Sequence, residues 1–400
     1  LDLEGPEFIS VHPKQDSLRF QSPAARYDLK KYIITARDVK YLNVADARIY
    51  PDSGLVIIQK DAVMRTFNNA KIVANAVTKY HNLYNCTVNV LARKNYSGSG
   101  SYDYVDESKN KLTFYFSNIN VDTTYQTYAE TSIPDTSKFR LSPMFEYKGK
   151  VKLKASNQFL VFDGAVRIKH DCAMIPKAWL KFESEVNPGD IYIPISKNPI
   201  DVTGKPIATS MMVTTDSTHF YSAFLSPKQS SNDPYVLQAD GFLFFDKTSK
   251  EYRISNKEKL VERSLPGNYL SLSTAQCKVY GEGKIDLGGD FGQLKVESVG
   301  SATHYVIPDS TNFDMLMFFD FFFAENALEK MSDHIINTAE LKATDFSKPV
   351  FEKGMREYLG KEQADKLISQ LNLYGSYKKM PDELKKTLFL TDVKMKWNKD

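Results

Sequence analysis

Val151-Lys152-Leu153-Lys154-Ala155, followed by Leu160, Phe162, Val166 and Ile168 around Gly164, decides the class of this chain. Apolar residues fall on alternate positions, which puts them on one face of an extended strand and the lysines on the other. The same period runs upstream. Tyr32, Ile34 and Ala36 share one face, Pro51-Asp52-Ser53-Gly54 makes a turn before Leu55-Val56-Ile57-Ile58, and Ile72, Ala74 and Ala76 alternate again. Val88 and Val90 follow Asn85, Ser97-Gly98-Ser99-Gly100 forms a loop, and Leu112 to Phe116 is a further aromatic strand. From about Ser17 to Cys172 such segments recur at intervals of roughly 12 to 20 residues, with almost no helical period. The pattern predicts a mainly β fold, either a stacked short-strand solenoid or an open jelly roll, with a conventional sandwich allowed by the same strand lengths.

Downstream the pattern changes. Between Pro176 and Gln276, Ile191, Ile193 and Ile195 alternate, and Pro194 inside the run marks an edge strand, since proline cannot donate to a ladder. Gly241–Phe245, Asp246–Lys250 and Glu251–Ile254 read as strand, turn and returning strand. From Gly281 short strands between glycine corners resume, at Gly283–Gly288 and Gly292–Val296. Near Thr311 the reading turns helical. Thr311 and Asp314 stand at capping-box spacing, and Met315 to Ala324 is apolar all round apart from Asp320, which predicts a buried helix from Asn312. Stripes follow at Leu328, Met331 and Ile335, then a helix opened by Pro349 and stopped at Gly360. Ala364, Leu367, Ile368 and Leu371 form a third stripe, and Val393, Met395 and Trp397 alternate in a last strand. The expected division is therefore 1–175 β scaffold, 176–276 inserted β module, 277–311 return to the scaffold, 312–387 helical cap, and 388–400 a strand running on into a longer protein.

Composition excludes more than it identifies. Forty-two per cent apolar and 25% charged residues are ordinary globular usage and rule out a disordered chain. A net charge of +3 exerts no strong pull on nucleic acid, so no nucleic-acid partner is expected. No run is long enough to span a bilayer as a helix. The chain begins at Leu1 without a signal-peptide pattern, which reads as a processed or excised piece. Cys86, Cys172 and Cys277 are odd in number and far apart, so they read as small, partly buried residues, with one long-range disulfide allowed in an oxidising compartment.

Candidate chemistry is sparse. His170-Asp171-Cys172 are neighbours, but adjacent strand residues point to opposite faces and cannot form a triad alone. His12, His81, His170, His219, His304 and His334 never fall at metal-ligand spacing, so neither metal nor cofactor is expected. Gly281-Glu282-Gly283 and Gly288-Gly289-Asp290-Phe291-Gly292 lack a phosphate-loop pattern and read as tight corners; Asp286 and Asp290 could pair as acid and base. No complete catalytic set emerges, and the leaning is away from an enzyme. Two surfaces stand out. An apolar lining is expected from Ile34, Ile72, Val88, Val151, Leu153, Val166 and Ile168. A basic stripe of Lys148, Lys150, Lys152 and Lys154, joined by Arg167 and Lys169, offers anion binding or simply a solvated face that blunts edge pairing.

Two stretches resemble the periplasmic lipopolysaccharide-transport, OstA-like family of open β jelly rolls. They are Ala24-Ala25-Arg26-Tyr27-Asp28-Leu29 with Tyr32–Ala36 and Val39, and Ala74–His81 with Leu83-Tyr84-Asn85 and Val88. Both carry the rhythm of Ala, Tyr with a polar neighbour, a short apolar strand, then Val. The family's Gly before the Val is replaced by Arg37-Asp38 and by Thr87. The resemblance covers about a quarter of the chain and implies an open β scaffold with access for lipid. The expectation is a non-enzymatic scaffold of the Gram-negative envelope, periplasmic or attached to the outer membrane. It would act in transport or assembly with other envelope proteins, and with lipid or anionic glycan as ligand. A surface β-solenoid that binds or cleaves carbohydrate is the alternative.

Overall fold

The computed structural model describes residues 5–216, 219–287, 292–340 and 344–398. Contacts divide the chain into unit 1, Leu1–Val166 with Phe182–Ile191, and unit 2, Arg167–Lys181 with Tyr192–Asp400. Strand dominates throughout, in large antiparallel sheets, with no closed barrel among the described residues and helices confined mainly to the C-terminal region.

The first strands are β1 (Glu7–Ile9), β2 (Arg19–Gln21), β3 (Ala24–Asp28), β4 (Ile33–Arg37), β5 (Leu42–Val44), β6 (Ala47–Tyr50), β7 (Val56–Ile58) and β8 (Phe67–Ala74). Longer ones follow: β9 (His81–Ala92), β10 (Asn95–Val105), β11 (Lys111–Val121), β12 (Thr127–Ile133), β13 (Arg140–Ser142), β14 (Phe145–Lys154), β15 (Val161–Ile168) and β16 (Leu180–Glu185). One sheet runs β1-β2-β5-β6-β8-β9-β10-β11-β12-β14-β15-β16, with β13 on β14, while β3, β4 and β7 form a small separate sheet. Successive long strands pair antiparallel, as in Tyr102↔Phe114 of β10 and β11. Their alternation fills the core with Tyr96, Phe116, Phe145, Tyr147 and Phe162, all fully buried. Asp46 fastens two distant strands, accepting from the Thr127 N–H (3.0 Å) and hydroxyl (2.6 Å).

Unit 2 contains β17 (Ile193–Ile195), β18 (Ala208–Val213), β19 (Phe220–Ser226), β20 (Tyr235–Gln238), β21 (Gly241–Asp246), β22 (Glu251–Ser255) and β23 (Tyr269–Ser273). After these come β24 (Lys278–Ile285), β25 (Lys295–Tyr305), β26 (Ser310–Asp320) and β27 (Leu388–Asn398). Its helices are α1 (Lys257–Val261), α2 (Glu325–Asn337), α3 (Pro349–Leu359) and α4 (Lys361–Tyr374). Eight strands form one sheet, β17-β21-β22-β23-β24-β25-β26-β27, and β19-β18-β20 form another. The stretch expected as an inserted module therefore supplies β17 and β21–β23 to the same sheet as β24–β27. Pro194 does sit on an edge strand, as β17 ends that sheet.

The helix expected from Asn312 is instead strand β26, and Thr311 caps nothing because it pairs with Trp397 of β27. The apolar run is all-round because both faces of the strand are covered. Leu316 and Phe318 face α3 and α4, with Phe351, Met355, Leu367 and Leu371 in one buried cluster. Phe313, on the other face, packs its ring 5.2 Å from Phe220. Helix begins only at Glu325. Gly281 and Gly283, read as corners, lie inside β24; a Cβ on Gly283, whose φ is +139°, would meet Asn268 Oδ1 at 2.2 Å. Cys172 and Cys277 form a disulfide within unit 2, whereas Cys86 is buried as a free thiol. Asp290 lies outside the described residues.

Candidate functional site

An apolar concavity lies in unit 1, where β1, β2 and the small β3-β4-β7 sheet leave a groove of about 640 Å³. Its floor is Leu18, Phe20 and Met64, all buried, and the Phe8 and Phe20 rings stack 5.3 Å apart. Its walls are Ile34 and Ile58, and its mouth is formed by Tyr27, Tyr32 and Ile9, each half or more exposed. Local chemistry sets this shape. Residues 13–15 form a turn of 3₁₀ helix that starts with Pro13 and is capped by His12, whose Nδ1 accepts the Lys14 N–H at 3.3 Å. Gln15 then reaches across and donates to the Ala62 carbonyl at 2.6 Å, joining the two loops that frame the groove. Tyr32, Asp61 and Ala62 all have positive φ, which turns the chain sharply at the rim. The polar side chains of the lining are Ser10, His12, Gln59, Lys60 and Asp61, together with Gln15, which is buried and spends its amide on the Ala62 carbonyl. The volume falls inside the roughly 300–1,000 Å³ typical of small-molecule sites, and the lining suits an apolar ligand with a polar end.

Of the expected apolar lining, Ile34 alone borders this groove. Ile72, Val88, Val151 and Leu153 are fully buried and Val166 and Ile168 nearly so, as packed core. The groove residues from β1, β2 and the loop after β7 carry no readable sequence signal. Their strands are three residues long, too short to show a period, although Tyr27, Tyr32 and Ile34 lie within the segment that carries the family resemblance.

The basic stripe is largely paired. Lys148 donates to Asp135 (2.8 Å), and Lys150 bridges to Glu130 (2.8 Å). Lys152 binds both Asp163 (2.6 Å) and Glu183 (3.0 Å), and these hydrogen bonds hold its ammonium above the usual lysine range. Lys154 and Lys169 are exposed, and the Arg167 guanidinium lies 4.5 Å above the Trp179 ring. The aligned lysines thus serve cross-strand ion pairing before anything else.

A second cavity, of about 180 Å³, lies in unit 2 where α1 and α3 meet β24 and β26. Lys259 is 1% exposed and donates to the Gly267 carbonyl at 2.6 Å and to Glu357, and its ammonium is 3.3 Å from Glu282. Glu282 also accepts from Arg263 (3.0 Å) and Tyr280 (2.8 Å). The two carboxyls diverge. Burial raises Glu357 despite Lys259, whereas at Glu282 the pull of Arg263 and Lys259 outweighs burial and lowers it. Both carboxylates hold Lys259, so they tie α1 and α3 to β24 rather than flank a free substrate space. Asp286 contributes to neither cavity.

His170 is buried with neither ring nitrogen hydrogen-bonded among the described residues, and its neighbour Cys172 is in the disulfide, so the His-Asp-Cys run forms no nucleophile pair. Among the described residues no group of three or more His, Cys, Asp or Glu side chains is arranged to hold a metal ion. No helix among them is long and apolar enough to cross a membrane. What the fold and groove define is a mainly antiparallel β protein with an open, mainly apolar cleft in unit 1. Comparison with protein-family models, curated proteins and solved structures found no match.

Proposed function

We propose that the chain is a β scaffold of the cell envelope whose unit 1 groove receives the acyl part of a lipid, in transport or assembly at the outer membrane. One observation carries this reading: a 640 Å³ cleft with a mainly aromatic and aliphatic lining, in which the buried polar side chain Gln15 is already hydrogen-bonded to the Ala62 carbonyl. Such a cleft favours an alkyl chain at roughly 25 cal/mol per Å² of apolar surface withdrawn from water. The resemblance of the Ala24–Val39 stretch to the OstA-like family supports the same ligand class, since that stretch contributes Tyr27, Tyr32 and Ile34 to the cleft. The Cys172–Cys277 disulfide supports a compartment outside the reducing cytoplasm, such as the periplasm. Other envelope proteins are the partners this role requires.

Titration with a fluorescent fatty acid such as cis-parinaric acid tests the reading. Saturable binding is expected, weakened at least tenfold by Ile34→Lys and unchanged by Ile200→Lys, a partly exposed position away from the groove. Equal binding by both variants, or none by the parent chain, would remove the lipid reading. Binding of acidic glycan in its place, lost when Lys150 and Lys154 become Gln, would favour the carbohydrate alternative.

A further inference from the structure

Unit 2 brings together four polar side chains that the groove does not involve. Ser222 stands in β19, His219 immediately precedes that strand, His304 lies near the end of β25, and Asp309 lies in the turn before β26. The Ser222 hydroxyl is 2.9 Å from His304 Nδ1. His304 Nε2 is 3.4 Å from Asp309 Oδ1, and His219 Nε2 holds both oxygens of that carboxylate more closely, Oδ1 at 2.9 Å and Oδ2 at 3.0 Å. Asp309 has φ +50°, a left-handed turn that brings its carboxylate toward both rings. With the carboxylate at Nε2, the proton of His304 belongs on Nε2, leaving the Nδ1 lone pair to accept from Ser222.

The surroundings suit a reaction at Ser222. The serine is half-buried, while His304 is buried behind it. Strand β19 is the edge of its three-stranded sheet. The His219 carbonyl accepts the Thr214 N–H at 2.9 Å, so odd-numbered residues of β19 point into the ladder and the Ser222 N–H points to the edge. That N–H can meet an oxyanion formed at the neighbouring side chain. Phe220, on the same strand face, packs 5.9 Å from Trp397, giving an aromatic wall beside the hydroxyl.

We propose that Ser222, His304 and Asp309 act as nucleophile, base and orienting carboxylate in the hydrolysis of a carboxylic ester with an apolar acyl group. Ser222 Oγ attacks the acyl carbon as its proton passes to His304 Nδ1, and Asp309 steadies the imidazolium at Nε2. Collapse of the adduct breaks the ester C–O bond. The leaving alcohol takes the proton from Nδ1, and acyl-Ser222 remains. Water then gives its proton to Nδ1 and attacks the acyl carbon; the acid departs and the proton returns to Ser222 Oγ. Burial lowers the affinity of His304 for protons, against the pull of Asp309, which keeps the base neutral at pH 7.

Intact mass after treatment of the full chain with a fluorophosphonate, together with p-nitrophenyl butyrate turnover, tests this. A single adduct mapped to Ser222 is expected, absent from Ser222→Ala. Turnover should fall by roughly 100-fold or more in Ser222→Ala and in His304→Gln, the scale of lost base catalysis. The parent rate should rise through an inflection below the ordinary histidine range. An unmodified Ser222 in a chain with native circular dichroism, or turnover unchanged in Ser222→Ala, would overturn it. Neither readout involves the unit 1 groove, so failure here leaves the lipid reading standing, and the reverse.

Discussion

At the scale of single residues, His170 is a buried titratable group, 2% exposed, with no hydrogen-bond partner for either ring nitrogen among the described residues. Burial, with a smaller push from Lys177 and against the pull of Asp171, lowers its pKa to about 4. The unfolded chain takes up a proton near pH 6.5, before the folded one does, so folding is favoured fully above that value. The contribution is lost as pH falls from about 6.5 toward 4, and the shift corresponds to at most about 3 kcal/mol. Urea denaturation at pH 7.5 and 4.5 should show the parent chain losing more stability than His170→Leu. Parallel losses in the two chains would mean that His170 is solvated in the fold. The alternation of Phe162, Val166 and Ile168, carried one step past the end of β15, brings His170 to the inward side, but the neighbouring Asp171 and Cys172 suggest chemistry where the structure has packing and a disulfide.

At the scale of elements, β26 shows where a one-dimensional pattern fails. An apolar run without period fits a buried helix or a strand covered on both faces, and only tertiary neighbours decide between them. Here α3 and α4 cover Leu316 and Phe318, while Phe313 meets Phe220. Phe313→Ala and Leu316→Ala, on opposite faces, should therefore each cost roughly 2–5 kcal/mol in chemical denaturation. A strand buried on one face would tolerate one of the two. The helices are easier to read because their signals are local. Pro349 opens α3, Gly360 ends it, and Ala364, Leu367, Ile368 and Leu371 supply the buried stripe of α4. Edge strand β17 and the β21–β22 hairpin are legible for the same reason, through Pro194 and the polar turn at Asp246–Lys250. The groove and the Ser222–His304 contact are not. Gln15 meets Ala62 across 47 positions and Ser222 meets His304 across 82, and no spacing rule links such pairs.

At the scale of the whole molecule, the cysteines distinguish the two units. Cys172 and Cys277 both belong to unit 2 and close a loop across 105 positions. Cross-linking a loop of that length removes unfolded-chain entropy worth about 4–5 kcal/mol in the chain-entropy description, a large share of the stability of an ordinary domain. Unit 1 has no such link: Cys86 is a free thiol, and burial pushes its pKa up to about 12, so little reactive thiolate forms at neutral pH. Reductant should therefore act on one unit. Hydrogen exchange read by mass spectrometry, with and without dithiothreitol, should show protection falling across β17–β27 and holding across β8–β12. Iodoacetamide added after reduction should alkylate Cys172 and Cys277, and should reach Cys86 only in denaturant. Equal loss of protection in both units would mean that they unfold as one. No loss in unit 2 would mean that its eight-stranded sheet and helical layer hold without the cross-link.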